Sequence, residues 1–122
     1  MSNVDKGRRG EALAAHALTL RGYEIAARNW RSEAGEIDLI ARKDGVWVFI
    51  EVKLRSGDQF GGPEAAVTEQ RQRRLLDGGL LYLAEHGLDD AAWRIDVVAI
   101  RLAESGRVQR LDIYEDAVRA DG

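Results

Sequence analysis

Cysteine is absent from this 122-residue chain, so neither a disulfide framework nor a cysteine-ligated zinc or iron–sulfur centre can form. Proline occurs once and no low-complexity run is present, which argues against long disordered linkers. No apolar stretch approaches the roughly 18 residues that a membrane helix needs. Met1 to Gly10 also lacks the apolar centre of a secretory signal, so a cytoplasmic location without a membrane partner is the default expectation. A basic excess is missing too. The net charge of −3 and pI near 5.4 weigh against a nucleic-acid binder, whose footprint is usually basic.

The charge distribution softens that objection. Arg8, Arg9, Arg42, Lys43, Lys53, Arg55, Arg71, Arg73 and Arg74 are gathered in stretches, while Glu85, Asp89, Asp90, Asp112, Glu115, Asp116 and Asp121 lie in the second half. Carboxylates that hold cations would leave the working surface more positive than the formal sum. The length is that of one domain, 1–122, long enough to bury a continuous core.

Asp5 to Leu20 reads as a helix, with Leu13, Ala14, Ala17 and Leu18 at helical spacing and Arg21-Gly22 as the stop. Tyr23 to Trp30 reads as a strand. Glu36 to Arg42 is a second, in which Ile37, Leu39 and Ala41 alternate with Glu36, Asp38 and Ile40. Asp44-Gly45 is a hairpin signal, because a type I′ turn wants residues that accept positive φ. Val46 to Leu54 is a third strand, rich in β-branched and aromatic residues. A glycine-rich loop, Ser56 to Pro63, precedes a helix from about Glu64 to Glu85. Gly78-Gly79 either breaks that helix or lets it pack very closely on a neighbour. Trp93 to Leu102 and Val108 to Tyr114 complete the order α-β-β-β-α-β-β, the last strand at an edge. A helical crossover before strand four implies a mixed, partly parallel sheet flanked by helices, an α/β fold.

The hairpin translates into geometry. With Asp44 and Gly45 as the loop, Lys43 faces Val46, and counting outward sets Asp38 opposite Glu51 and Glu36 opposite Lys53. Cβ atoms of opposed residues are about 4.5–5.5 Å apart. Two ionised carboxylates so placed repel, and a shared proton, a nearby cation or a bound metal must compensate. Mg²⁺ suits such a pair, since it takes oxygen ligands and completes its shell with waters and phosphates. Glu11 adds a third acid from the packing face of the first helix, with Ala14, Ala15 and Leu18. Its structural alternative is the helix dipole or an ion pair with Arg8.

Gly35-Glu36-Ile37-Asp38-Leu39-Ile40-Ala41 followed by Val48-Phe49-Ile50-Glu51-Val52-Lys53 resembles the split D…ExK signature of PD-(D/E)XK nucleases. The wider string resembles the YraN-like family of bacterial proteins. Its other matches are Arg9-Gly10-Glu11, Gly22-Tyr23, Arg28-Asn29-Trp30, Phe60-Gly61-Gly62-Pro63 and Ile95-Asp96-Val97-Val98, and it spans Gly7 to Ile100. The resemblance implies a restriction-endonuclease-like core. In it Asp38, Glu51 and Glu11 hold the metal, Mg²⁺ or Mn²⁺, and Lys53 is catalytic. Relatives tend to carry lysine where Arg71 falls; arginine keeps the charge but cannot transfer a proton.

Metal-assisted hydrolysis of phosphodiester bonds in DNA, branched or single-stranded forms included, is the leading expectation. Arg71 and Arg74, on one helical face, together with Arg55, are its candidate phosphate contacts. The alternative is a catalytically weak nucleic-acid-binding or protein-interaction module of a repair or recombination complex. A third reading makes Glu36, Asp38, Glu51 and Lys53 a cross-strand ion-pair lattice. A homodimer would give so small a chain more grip, although no residue pattern establishes one. Asp96 fits a hydrogen-bonded structural acid better than a ligand. His16 and His86 lack ligand spacing, and Trp30, Trp47 and Trp93 fit core or strand-face positions.

Overall fold

The expected order of elements is the observed one. The computed structural model describes residues 3–56 and 67–118, with side chains from residue 7 onward. The elements are α1 (Asn3–Leu20), β1 (Glu24–Ser32), β2 (Gly35–Lys43), β3 (Val46–Ser56), α2 (Glu69–Glu85), β4 (Trp93–Leu102) and β5 (Val108–Val118). They form a mixed α/β fold whose five strands lie in the order β1-β2-β3-β4-β5. Only β3 and β4 run parallel among these neighbours, as a helical crossover between them requires. The hairpin turns as read: Asp44 and Gly45 both take positive φ (51° and 79°), and Lys43 pairs with Val46.

One helix covers each face of the sheet. Under α1, Ala14, Ala15 and Leu18 pack on Leu39, Ala41, Val48, Ile50, Val98 and Ile100. Under α2, Leu75, Tyr82 and Leu83 pack on Ile37, Ile40, Phe49, Ile95 and Val97. Burial of this kind is worth about 25 cal/mol per Å² of apolar surface, and it supplies most of the drive to fold. Trp30, Trp47 and Trp93 all belong to the α2 side, with Tyr82 edge-on to Trp30 at 5.4 Å.

Two expectations are corrected here. The second helix starts at Glu69 rather than Glu64, because Thr68 is extended (φ −68°, ψ 160°) and its hydroxyl accepts the Arg71 N–H. Residues 64–66 and most of the glycine-rich loop lie outside the described residues. The helix does not break at Gly78-Gly79, which are instead its points of closest approach. A Cβ on Gly79 would lie 2.8 Å from the Phe49 ring, and one on Gly78 would lie 3.2 Å from Ile37. The second correction concerns β2. Its alternation does not run unbroken, since Leu39 and Ala41 face α1 whereas Ile37 joins Ile40 under α2.

That change of face has a local cause. In β1, Arg28 pairs with Leu39 and Trp30 with Ile37, so Asn29 falls across from Asp38. Asn29 adopts φ 52°, the left-handed region that asparagine tolerates better than most residues. Both strands therefore reset their pleat at one step. Beyond it, Glu36 and its β1 partner Arg31 lie on the face opposite Ile37 and Trp30, toward α1.

Candidate active site at the parting of two strands

Regular pairing between β2 and β3 ends at Leu39–Ile50, although both strands continue. Past that point β2 stays with β1, and β3 stays with β4. Asp38 fills the opening. Its Oδ2 accepts the backbone N–H of Val52 at 2.8 Å, replacing a carbonyl that the departing strand no longer offers. The expected Glu36–Lys53 pair is accordingly not formed, because the strands have separated before reaching it.

Glu51 follows the last regular pair and is 4% exposed. It faces α2, where Arg71 holds it in a two-pronged grip: Nε donates to Oε2 and Nη2 donates to Oε1, both at 2.8 Å. The same Nη2 reaches the carbonyl of Glu36 at 2.6 Å. Lys53, two residues along β3, has its Nζ 3.6 Å from Glu51 Oε2. The fork of an arginine matches a carboxylate in this way, and charge-assisted bonds of this type are the strong ones.

Asp38 and Glu51 are within hydrogen-bonding reach and titrate as a pair. Burial, then the hydrogen bond to Glu51 and its negative charge, pushes Asp38 up to about 8, against the Val52 N–H and the Arg71 charge. Burial works to raise Glu51 as well, but the Arg71 hydrogen bonds, the bond from Asp38 and the charges of Arg71 and Lys53 hold it below its usual value. The repulsion expected between the two acids is thus relieved twice, by a proton on Asp38 and by a cation on Glu51.

A second group of acids opens on the other side of Asp38. One oxygen from each of Glu11, Glu36 and Asp38 lies within 4.8 Å of the others. Glu11 comes from α1, and Asn29 donates to it at 3.4 Å. Burial and the charge of Glu36 raise its pKa, while Arg28, Arg8 and Arg31 pull it down. No cation among the described residues lies within ion-pair distance of Glu11, so the ion pair with Arg8 is not formed. An ion about 2.1 Å from three oxygens needs them within roughly 4.2 Å of one another. Shifts of less than an ångström would bring these three together, and all-oxygen donors suit a hard divalent ion.

The sequence-derived residues divide clearly. Glu11, Asp38, Glu51 and Lys53 gather at one place. Arg71 joins them as the partner of Glu51 instead of standing free for phosphate. Arg74 is exposed, with its stem over Gly35 at the β1–β2 turn. Arg55 is exposed near the end of β3 and donates to the Leu54 carbonyl. Glu36, weighed only as part of an ion-pair lattice, sits with Glu11 and Asp38. An asparagine in the middle of a strand pattern was the available signal for that turn of the backbone. The Glu51–Arg71 contact, between strand and helix, leaves no local trace in the sequence. Asp96 is the structural acid expected of it, wholly buried and hydrogen-bonded by Tyr23, Arg94 and the N–H of Asp116.

Known proteins resemble this chain over the same stretch. It is 48% identical over 114 residues to a protein of Symbiobacterium thermophilum, covering 93% of this chain and 96% of that one. It is 45% identical over 115 residues to a protein of Mycobacterium tuberculosis, covering 91% and 90%. A Roseiflexus castenholzii protein is 48% identical over 92 residues, covering 75% and 74%. All three carry the name UPF0102 protein, and the corresponding family model matches residues 10–100, which include Glu11, Asp38, Glu51, Lys53 and Arg71. The chain belongs to the family described as uncharacterised protein family UPF0102.

Proposed function

We propose that this protein is a divalent-metal-dependent nuclease that hydrolyses phosphodiester bonds in DNA. The observation that carries the reading is the convergence of half-buried Asp38 and buried Glu51 where β2 leaves β3, with Lys53 at 3.6 Å from Glu51. Six ionisable side chains in one place, Arg71 included, are costly unless they serve chemistry or pair completely. Here the pairing is incomplete, since Glu11, Glu36 and Asp38 have no cation within ion-pair distance among the described residues.

Asp38, Glu11 and Glu36 are the residues that would hold Mg²⁺ or Mn²⁺, with Glu51 joining when Arg71 releases it. Such an ion polarises a phosphate and lowers the pKa of water. The remaining work falls to the chain itself. Lys53, its Nζ 3.6 Å from Glu51, carries donors that can meet charge building on the phosphate oxygens. Asp38 accepts Val52 N–H and is thereby fixed in the strand opening. Arg71 keeps Glu51 ionised and oriented.

One observation favours the second reading, a binding module that does not turn over: both oxygens of Glu51 are engaged by Arg71. An activity screen separates the two. Duplex, single-stranded, flap and junction DNA, with RNA alongside, are incubated with Mg²⁺ and with Mn²⁺, using wild type and Lys53→Ala. Metal-dependent cleavage of at least one DNA form, lost in the variant, is the expected result. Binding without cleavage, or equal cleavage by the variant, overturns the catalytic assignment.

A further inference from the structure

The phosphate contacts expected on α2 are compromised, because Arg71 is committed to Glu51 and Arg74 lies over the turn beside it. Basic groups next to the acidic cluster are found elsewhere, on the edge strand. Arg28 and Arg31 of β1 and Arg8 of α1 are exposed. In a regular strand, residues three apart point to opposite faces. The left-handed step at Asn29 removes that opposition: Trp30 faces α2, while Arg28 pairs with Leu39 and Arg31 with Glu36 toward α1. A strained non-glycine residue in an edge strand costs stability and calls for a reason. What it accomplishes here is to turn two guanidiniums to one side.

All three arginines act on the same carboxylate, that of Glu11, without an ion pair within 4 Å to any acid among the described residues. The protein carries a net charge of −3, so three such cations beside one acidic cluster are not a consequence of general basicity. Cations that neighbour carboxylates yet leave their donors unspent are suited to an anionic ligand that spans the cluster.

We infer that Arg8, Arg28 and Arg31 form a phosphate-binding rim that holds the backbone of a DNA strand on either side of the phosphate that a divalent ion on Glu11, Glu36 and Asp38 would bind. The inference deepens the nuclease reading and rests on it for the position of the central phosphate. The rim faces the α1 side and uses β1, an edge strand of the sheet, so a DNA strand can pass along it without displacing a helix among the described residues. Arginine is the fitting residue, since its planar fork grips phosphate in two places. These contacts fix the strand's register and carry no base specificity.

The test measures binding with chelator present, by fluorescence anisotropy of a labelled single-stranded DNA, over a range of salt concentrations. Wild type is compared with Arg28→Gln/Arg31→Gln, with the charge-retaining Arg28→Lys/Arg31→Lys, and with a control of equal charge loss, Arg42→Gln/Arg110→Gln. Thermal melts confirm that each variant is folded. Each phosphate contact on a single strand contributes about 0.7 to the slope of log K against log salt. The glutamine rim variant is expected to lose roughly 1.4 of slope and at least tenfold in affinity, the lysine variant to recover most of both, and the control to change little. An equal loss in the control, an unchanged slope in the rim variant, or no binding by wild type overturns the rim. Rim-dependent binding by a wild type that cuts nothing with either metal leaves the rim standing and removes the nuclease. Cleavage that needs Lys53 but survives the rim substitutions does the reverse.

Discussion

Asp96 and Glu51 are buried acids one step apart in neighbouring strands, since Asp96 pairs with Ile50 and Val97 with Glu51, yet they face opposite sides of the sheet. Toward α1, Asp96 receives the Tyr23 hydroxyl at 2.8 Å, Arg94 at 3.0 and 3.2 Å, and the Asp116 N–H at 2.9 Å. Its four acceptor sites are filled from within the protein. The last of these bonds secures Asp116 at φ 53°, where β5 shifts register against β4. Burial and the hydrogen bond to Asp96 push the Tyr23 phenol up, so it stays a donor throughout the working range of pH. Toward α2, Glu51 has its arginine and its lysine, whereas Glu11 and Glu36, which meet Asp38 from the α1 side, have no cation within ion-pair distance among the described residues. Asp96, which only builds structure, is satisfied within the protein; Glu11 and Glu36 are not paired in that way. The difference between these two acid sites is the strongest physical argument for the proposed chemistry at Asp38.

Removing each acid should expose that difference. Asp96→Ala strands a hydroxyl, a guanidinium and a backbone N–H in the interior. The expected cost is about 3–5 kcal/mol, the range for breaking a buried charged pair by deleting one partner. Denaturant unfolding at neutral pH measures it. If Asp96→Ala costs less than about 1 kcal/mol, the network is not structural and the contrast fails. Arg71→Ala comes next. It leaves Glu51 buried with Lys53 alone, and should cost about 2–3 kcal/mol. Adding Glu51→Gln should recover more than half of that loss, because the uncompensated charge is gone. Double-mutant coupling near zero would show that the two-pronged contact contributes nothing.

The smallest change at pH 7 belongs to Asp38→Asn, within about 1 kcal/mol either way. The protonated acid and the amide are near-isosteres, each able to accept Val52 N–H and donate to Glu51. The signature lies in pH dependence. A carboxyl raised from 3.8 to about 8 binds its proton more tightly in the folded chain. Its contribution to stability is complete below about 4 and is lost as pH rises through about 8. Glu51, held below its usual value, behaves oppositely and gives up its contribution only as pH falls under that value. Metal-free wild type should therefore lose stability between pH 4 and 8 relative to Asp38→Asn, whose curve lacks this slope. Parallel curves for the two proteins would remove the shared proton.

Much of this arrangement was legible in local signals. Asp44-Gly45 set the hairpin, and through it the register that brings Asp38 toward Glu51. The length of crossover between Leu54 and Trp93 implied the parallel pair. Gly78-Gly79 marked either a break or a close approach, and the fold uses it for the second, against Phe49 and Ile37. Placing the start of α2 at Glu64 is an error that comes from passing over Thr68, whose hydroxyl caps the helix. Other features arise only in three dimensions. Strict alternation hid the turn at Asn29 and Asp38, because a left-handed non-glycine residue leaves no periodic mark. Arg71 looked like a surface cation until the fold set α2 over β3. Glu36 looked like a partner for Lys53, but the strands part at Leu39–Ile50, three pairs short of it.

The central claim is that Asp38 and its neighbours are incomplete without a divalent ion. Mn²⁺ binding to the metal-free protein tests it directly, by titration calorimetry with and without a short DNA strand bearing uncleavable phosphorothioate linkages, for wild type and Asp38→Asn. The account predicts that wild type binds Mn²⁺ with a heat that vanishes in the variant. At a hundredfold excess over the dissociation constant, the same ion should stabilise wild type by about 2.7 kcal/mol. A wild type that takes up no Mn²⁺ with or without the DNA strand, or a variant that binds as well as wild type, would contradict it.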